Sequence, residues 1–390
     1  MDKIKIMEAM DVYLPDVDGV INCMHNYCLN LNEMSDVTAV VPKNKKGYKD
    51  NFPYKIKRCK SMHVPILNQY CALPKLDEKI KQFAQNADFD IIHVHSMFGM
   101  GKFALKIAKK KNIPIVATFH SNMRPIFKDV TKSDFIAEKM VQKMGELYNE
   151  CDEVFVCSPV VAEQCRSFGY KGKITYLPFG TDLKKCDNVD ELSIKANQSF
   201  NLDKDELVLI YVGRVMKLKR IDFILKSLKL VKEKGIKFKF FVVGKGFEIN
   251  DLKNLTKKLD LSEVVVFTGF LERSLFPQLL ARADLLLFPS IYDNFGLVKV
   301  ECAGYQTPGL FIKNSCAGFD VTDGVNGFLS DDDLESYACK ICEAVEDRRK
   351  LKEIGKNASK DLYISWKECT DALLKRLTEI VEEKKNENKK

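Results

Sequence analysis

Short apolar, β-branched runs alternate with longer amphipathic stretches along most of this chain, and that alternation restricts the fold more than any other feature. Apolar runs occur at Ile4–Met7, Val37–Val41, Ile91–His95, Ile115–Phe119 and Glu153–Cys157, then at Leu207–Val212, Phe238–Val243, Val264–Phe267 and Asp284–Phe288. Helical periodicity marks Gly101–Lys111, Ser133–Asn149, Ile221–Lys234, Asn250–Leu259 and Leu275–Ala281 between them. Strands apolar on both faces, separated by amphipathic helices, predict α/β architecture with parallel sheets covered on both sides. The alternation breaks once, in the polar stretch between Asp182 and Asp205. Two doubly wound, Rossmann-like domains fit 390 residues better than one large sheet. The expected division is a first domain over 1–185, a linker over 186–203 and a second domain over 204–365. A C-terminal helix over 366–383, able to return to the first domain, then leads into a disordered tail over 384–390.

Composition excludes several classes. No stretch reaches the roughly 18 consecutive apolar residues of a membrane-spanning helix. Met1–Met7 alternates charge and apolarity, unlike the continuous apolar segment of a signal peptide. The 13 cysteines are scattered, and the one C-x-x-C pair, Cys339 and Cys342, falls on a helical apolar stripe where core packing is expected. These features predict a reduced, cytoplasmic chain. The net charge of +8 is uneven: residues 1–185 hold 28 Lys/Arg against 21 Asp/Glu, the remainder 34 against 33. A basic first half suits an anionic partner or a solvated surface. No zinc-finger spacing, RNA-binding aromatic signature or basic-region heptad accompanies it, so nucleic acid is not an expected partner. The segment Gly101–Lys111 carries an apolar stripe at Phe103, Leu105 and Ile107–Ala108 with lysines beside it. It reads either as a sheet-covering helix or as one able to rest peripherally on acidic lipid at the cytoplasmic membrane face.

In open parallel sheets ligands bind beyond the carboxyl ends of strands. Several motifs fall there. After the run ending at Phe288 comes a loop with Asp293, Asn294, Phe295 and Gly296, then a helix-forming stretch from Leu297 through Glu301. A helix start offers free N–H groups and a positive dipole end to a phosphate. Asp293 and Glu301 are two carboxylates suited to hydroxyl recognition, although a capping loop explains the spacing equally well. Tyr211-Val-Gly-Arg-Val-Met-Lys-Leu-Lys219 places Arg214 and Lys219 beyond another strand, where two cations can converge on a diphosphate or simply be solvated. Phe241-Val-Val-Gly-Lys-Gly246 lacks the third glycine of a dinucleotide fingerprint. In the first half, Val17-Asp-Gly-Val20 puts Gly19 where a backbone can approach a ligand, and Ala117-Thr-Phe-His120 ends a strand with a histidine. His93 and His95 share one strand face without an evident third ligand, so packing is expected rather than metal binding.

These motifs, in this order, resemble family 4 glycosyltransferases. Asp90-Ile-Ile-His-Val-His95, Leu177-Pro-Phe-Gly-Thr-Asp182 and Asp323-Gly-Val-Asn-Gly-Phe328 add to the resemblance, which extends from about residue 3 to about 375. It implies a GT-B fold of two Rossmann-like domains facing a central cleft. It also implies retaining transfer of a hexose from a nucleoside-diphosphate sugar, a UDP-sugar foremost, to a glycan or lipid-linked acceptor. The nucleotide sugar is a co-substrate, and neither cofactor nor bound metal is expected. By the resemblance, Arg214 and Lys219 hold the diphosphate, aided by N–H groups of Phe295–Leu297, and Glu301 takes the ribose hydroxyls. His120 contacts the transferred sugar, and Gly19 lies beside the phosphates and acceptor. The family's first carboxylate is usually glutamate; here it is Asp293, one methylene shorter. A sugar-nucleotide-binding pseudo-enzyme and a GT-B-type epimerase are the alternatives, separable by product analysis. Asp16-Val-Asp18, Asp88-Phe-Asp90 and Asp203-Lys-Asp205 match by letter the Asp-x-Asp pair of metal-dependent enzymes.

Overall fold

The computed structural model describes residues 3–16, 18–44, 48–65, 69–120 and 122–388. Val17 of the first glycine turn and the last two residues of the expected tail therefore lie outside the described residues. The chain forms two compact units, Met1–Phe179 with Trp366–Lys390, and Gly180–Ser365.

The first unit contains β1 (Lys5–Ala9), β2 (Asp36–Pro42), β3 (Lys55–Cys59), β4 (Ser61–Val64), β5 (Gln69–Ala72), β6 (Ile91–Val94), β7 (Ile115–Thr118), β8 (Glu153–Val156) and β9 (Ile174–Tyr176). Seven of these form a parallel sheet in the order β3-β2-β1-β6-β7-β8-β9, and β4 and β5 form a separate antiparallel pair. The central strands are buried on both faces, which is why they read as continuous apolar runs. β3, with lysines at alternate positions and alternating burial, escapes that reading.

The helix Gly99–Lys111 buries Phe103, Leu105, Ile107 and Ala108. Its apolar stripe covers the sheet and does not face lipid, so the alternative of a lipid-resting helix is corrected. The C-terminal helix Trp366–Glu387 packs on the helix Gly19–Met34, where Trp366 meets Tyr27 edge-on at 5.4 Å. It continues well into the segment expected to be a disordered tail, and Asn388 N–H still bonds the Lys384 carbonyl. Arg376 of this helix reaches Glu153 on β8 at 2.8 Å, with side chains 13% and 2% exposed.

The second unit holds β10 (Val208–Val212), β11 (Lys239–Val243), β12 (Val265–Gly269), β13 (Leu285–Phe288), β14 (Gly309–Ile312) and β15 (Phe328–Ser330). All pairings are parallel, in the order β12-β11-β10-β13-β14-β15. This is the doubly wound order, reversing between β10 and β13. The expected linker is not one: Val189–Phe200 is a helix packed on the helix Phe276–Arg282. Arg282, almost fully buried, anchors it through Nε to Asn197 at 2.6 Å and also donates to the Asp203 and Glu206 carbonyls. Polarity alone hid this helix, because Ala196 is its only fully buried side chain. Cys339 is exposed and Cys342 half-buried, so this pair is not core; Lys234 Nζ lies 3.1 Å from the Cys339 sulfur. Among the described residues no helix is long and apolar enough to cross a membrane.

Arg376→Ala strands a buried carboxylate on β8. The expected loss of stability is about 3 kcal/mol, at the low end for a broken buried pair because Lys173 and Thr175 still reach Glu153. Urea unfolding of both proteins measures it.

Candidate active site

In the second unit the loops leaving β10 and β13 diverge at the point where strand order reverses. The β10 loop is laced to the end of β11: Gly213 N–H bonds the Val243 carbonyl at 3.0 Å and Val215 N–H the Lys245 carbonyl at 2.9 Å. A Cβ on Gly244 would sit 1.9 Å from the Gly213 carbonyl oxygen, and one on Gly246 only 1.8 Å from that of Val215. The glycines of the Gly244–Gly246 turn therefore serve close backbone packing that fixes the Arg214 loop. Tyr211, fully buried, donates its hydroxyl to the Arg214 carbonyl at 3.0 Å. The Arg214 side chain is exposed.

Lys219 ends a short 3-10 turn, Lys217–Lys219. Its ammonium pairs with the Asp293 carboxylate, each side chain 20% exposed, and lies 5.6 Å from the centre of the Phe288 ring. Two further bonds tie the β10 and β13 loops. Arg220 donates to the Pro289 carbonyl at 3.2 Å, and the Ser290 hydroxyl to that of Leu218 at 3.4 Å. Arg220 was not among the sequence candidates; its only sequence signal is its place beside Lys219.

The helix Leu297–Gly304 starts at Gly296, whose φ of 73° and ψ of 60° are left-handed, and no side chain caps its first turn. A Cβ on Gly296 would meet that of Ala317 at 2.9 Å. Glycine is thus required both by backbone conformation and by space. Lys299, 2% exposed, holds this start in place: its ammonium lies 5.0 Å from the centres of the Phe295 and Phe319 rings and pairs with Asp320. A lysine inside the apolar run Leu-Val-Lys-Val was the overlooked signal. Asn294 is half-buried in the same loop. Glu301 is half-buried one turn inward. Burial, then the nearby charge of Asp182, raises its carboxyl to about 7. Asp182 arrives on the strand-like segment whose Thr181 N–H bonds the Ile364 carbonyl at 3.1 Å. The carboxylate whose charge Glu301 feels is thus Asp182, while Asp293 is engaged with Lys219.

In the first unit Gly19 opens the helix Gly19–Met34, capped by Asp18, which accepts from Ile21 N–H at 2.8 Å. A Cβ on Gly19 would touch nothing within 4 Å, so internal packing does not require glycine there. His120 lies just beyond β7 and is nearly buried, with Nε2 2.9 Å from His95 Nδ1. The expectation that His93 and His95 lack a third partner is corrected by Glu8 on β1. Its carboxylate lies 3.1 Å from His93 Nδ1 and 2.7 Å from His95 Nε2, with all three side chains buried. Glu8 with His93 and His95, and Cys23 with His95 and His120, are each close enough to share an ion. Both His95 ring nitrogens are already satisfied by hydrogen bonds to Glu8 and His120. The Asp-x-Asp letters have other duties: Asp18 caps a helix, Asp88 pairs with Lys5 at 2.5 Å, and Asp90 accepts from Lys5 N–H at 2.9 Å.

Glu301 gives a signed pH dependence. Between pH 4.5 and 7 the unfolded chain has lost this proton while the folded chain keeps it. The group's contribution to stability is complete below about 4.5 and is lost as pH rises through 7. Glu301→Gln, always neutral, should gain on wild type over that window by up to about 3 kcal/mol. Denaturation at pH 5, 6, 7 and 8 reads the difference, and a constant difference would contradict the shift.

Comparison with known proteins bears on the family and the fold. The family described as Glycosyltransferase Family 4 matches residues 17–185, and Glycosyl transferases group 1 matches residues 193–361. The alpha-monoglucosyldiacylglycerol synthase of Acholeplasma laidlawii is 24% identical over 371 residues, 92% of this chain and 91% of that protein. Its namesake from Streptococcus pneumoniae is 23% identical, over 82% of this chain and 73% of that protein. Anabaena HepE, solved in complex with UDP, superposes with a TM-score of 0.78 at 18% identity, covering 96% of this chain and 100% of that one. HepE has also been solved with UDP-glucose, at a TM-score of 0.74. Two parallel-sheet units, each matched by its own half of the glycosyltransferase signature, make this chain a family 4-like glycosyltransferase of the GT-B fold.

Proposed function

We propose that this protein transfers a hexose from a UDP-hexose to a hydroxyl of a glycan or lipid-linked acceptor, with retention of anomeric configuration and without a bound metal. The observation that carries the donor reading is that Arg214, Lys219, an uncapped helix start and a half-buried Glu301 all follow the ends of β10 and β13, where strand order reverses. The UDP and UDP-glucose complexes of HepE support the choice of nucleotide and sugar class. The names of the two synthases support a lipid-linked acceptor.

As the sugar–phosphate bond breaks, negative charge grows on the β-phosphate. Arg214, Lys219 and the N–H groups of Phe295–Leu297 are placed to meet it, and such preorganised donors act chiefly on the transition state. Lys219 pairs with Asp293. A diphosphate, more highly charged than one carboxylate, takes over Lys219 and releases Asp293 to the sugar hydroxyls. Glu301 receives the ribose hydroxyls, Gly19 lets backbone approach the phosphates and acceptor, and His120 contacts the sugar. The departing phosphate takes the acceptor proton on the same face, so no separate nucleophile–base pair is required.

Contact with acidic lipid, which a lipid-linked acceptor calls for, falls to exposed apolar side chains of the first unit. Ile126, Val130, Phe135 and Ile136 stand on the helices Arg124–Thr131 and Asp134–Tyr148, close in sequence to Lys128, Lys132 and Lys139. Cosedimentation with anionic vesicles, reduced in Phe135→Ser, is the expected result; equal recovery without vesicles would contradict it.

Hydrolysis of a panel of nucleotide sugars, with product anomer determined and EDTA present, tests donor, stereochemistry and metal independence together. Arg214→Ala and Lys219→Ala should each raise the barrier by about 2–4 kcal/mol. Asp293→Asn should bind UDP more tightly, since Lys219 loses its counter-ion, yet hydrolyse UDP-hexose more slowly. Unchanged UDP binding together with unchanged turnover in Asp293→Asn would remove Asp293 from the site.

A further inference from the structure

We propose that Glu8, acting through His95, fixes the tautomer of His120 so that His120 presents an unprotonated Nδ1 to the donor sugar. This rests on the reading of His120 as a sugar contact. Three adjacent parallel strands bring the groups together. Glu8 on β1 stands in register with His93 on β6, His95 follows two residues later on the same face, and His120 leaves the end of β7.

A carboxylate can only accept hydrogen bonds. Glu8 therefore requires a hydrogen on His93 Nδ1, 3.1 Å away, and on His95 Nε2, 2.7 Å away. Burial works to raise the Glu8 carboxyl, but His93 and His95 outweigh it and bring it down to about 2, so it is ionised at neutral pH. Burial lowers His95 to about 4, leaving one ring hydrogen at neutral pH, and Glu8 claims it on Nε2. His95 Nδ1 is then a bare acceptor. His120 Nε2, 2.9 Å from it, must carry the hydrogen that joins them. Burial also holds His120 well below the ordinary histidine range. Its single hydrogen is thus committed to His95, and Nδ1 keeps a lone pair. Among the described residues nothing hydrogen-bonds that Nδ1, and the ring is held by stacking on His95 at 5.1 Å and on Phe179 at 5.5 Å. The His93 ring is fixed at its far side by Thr118, 2.7 Å from Nε2.

The chemical consequence is directional. A sugar hydroxyl meeting His120 must donate its hydrogen to Nδ1, and its oxygen stays available to other donors. Glu8 and His95 are then positioning residues, acting through His120 without touching substrate. Replacing Glu8 by glutamine preserves shape but supplies N–H groups in place of an acceptor-only carboxylate. An amide N–H aimed at His95 Nε2 reverses the chain: His95 moves its hydrogen to Nδ1, and His120 becomes the Nδ1–H tautomer.

The protein has five histidines, so nitrogen-15 NMR of the full chain labelled at histidine can assign each ring nitrogen. Wild-type His120 should show a protonated Nε2 and a bare Nδ1. Glu8→Gln should shift His120 toward Nδ1–H, reduce UDP-glucose hydrolysis about tenfold or more, and leave UDP affinity within about twofold. The wild-type spectrum needs no variant: His120 carrying its hydrogen on Nδ1, or a stoichiometric metal on these nitrogens, overturns the proposal. Reversal in Glu8→Gln with hydrolysis unchanged overturns its functional half. His120→Ala with full hydrolysis instead removes the sugar-contact reading while leaving the tautomer result intact.

Discussion

In each sheet the two central strands, β1 with β6 and β10 with β13, are neighbours although the chain winds away from them in opposite directions. Right-handed crossovers then send successive helices to opposite faces, and the loops leaving the two strands must part. The parting produces a polar crevice that the sheet itself cannot fill. In the second unit it is bordered by the Arg214–Arg220 loop and by the Asp293–Leu297 turn. In the first it is bordered by the turn before Gly19 and by the loop after His95. There Asp11, raised to about 6 by burial, accepts from Ser96 and from Met100 N–H at the start of the next helix. The residues assigned a direct role in the proposed reaction lie on these loops, in the helices they lead into, or just beyond the end of β7.

The two crevices differ in their electrostatics. The second unit brings cations and an uncapped helix start to its switch point, with Asp293 standing as counter-ion to Lys219 and with Glu301 held near its neutral form. The first unit buries an ionised Glu8 that accepts from the rings of His93 and His95, and His95 is joined in turn to His120. It offers orientation more than charge.

Much of the fold was legible because parallel strands buried on both faces write their boundaries as apolar runs; β10, expected over Leu207–Val212, spans Val208–Val212. The edge strands β3 and β15 were not, since β3 alternates lysine with apolar residues and β15 is only three residues long. The helix Val189–Phe200 was missed because it is anchored by Arg282, a partner distant in sequence that bonds its Asn197. The site was legible where one strand-to-helix turn carries the chemistry, as at Phe295–Glu301. Glu8 was invisible: a glutamate in the first strand gives no sign that two histidines 85 and 87 residues later will bond it. The effect of Asp182 on Glu301 was similarly silent, because it depends on what folds beside it.

Hydrogen–deuterium exchange of the full chain with saturating UDP tests the central claim most directly, that the second unit's switch-point loops hold the nucleotide. Protection should concentrate in peptides covering residues 211–220 and 289–303, with the β12 edge of the same sheet unchanged. Binding detected by calorimetry, with neither of those peptides protected, would contradict it.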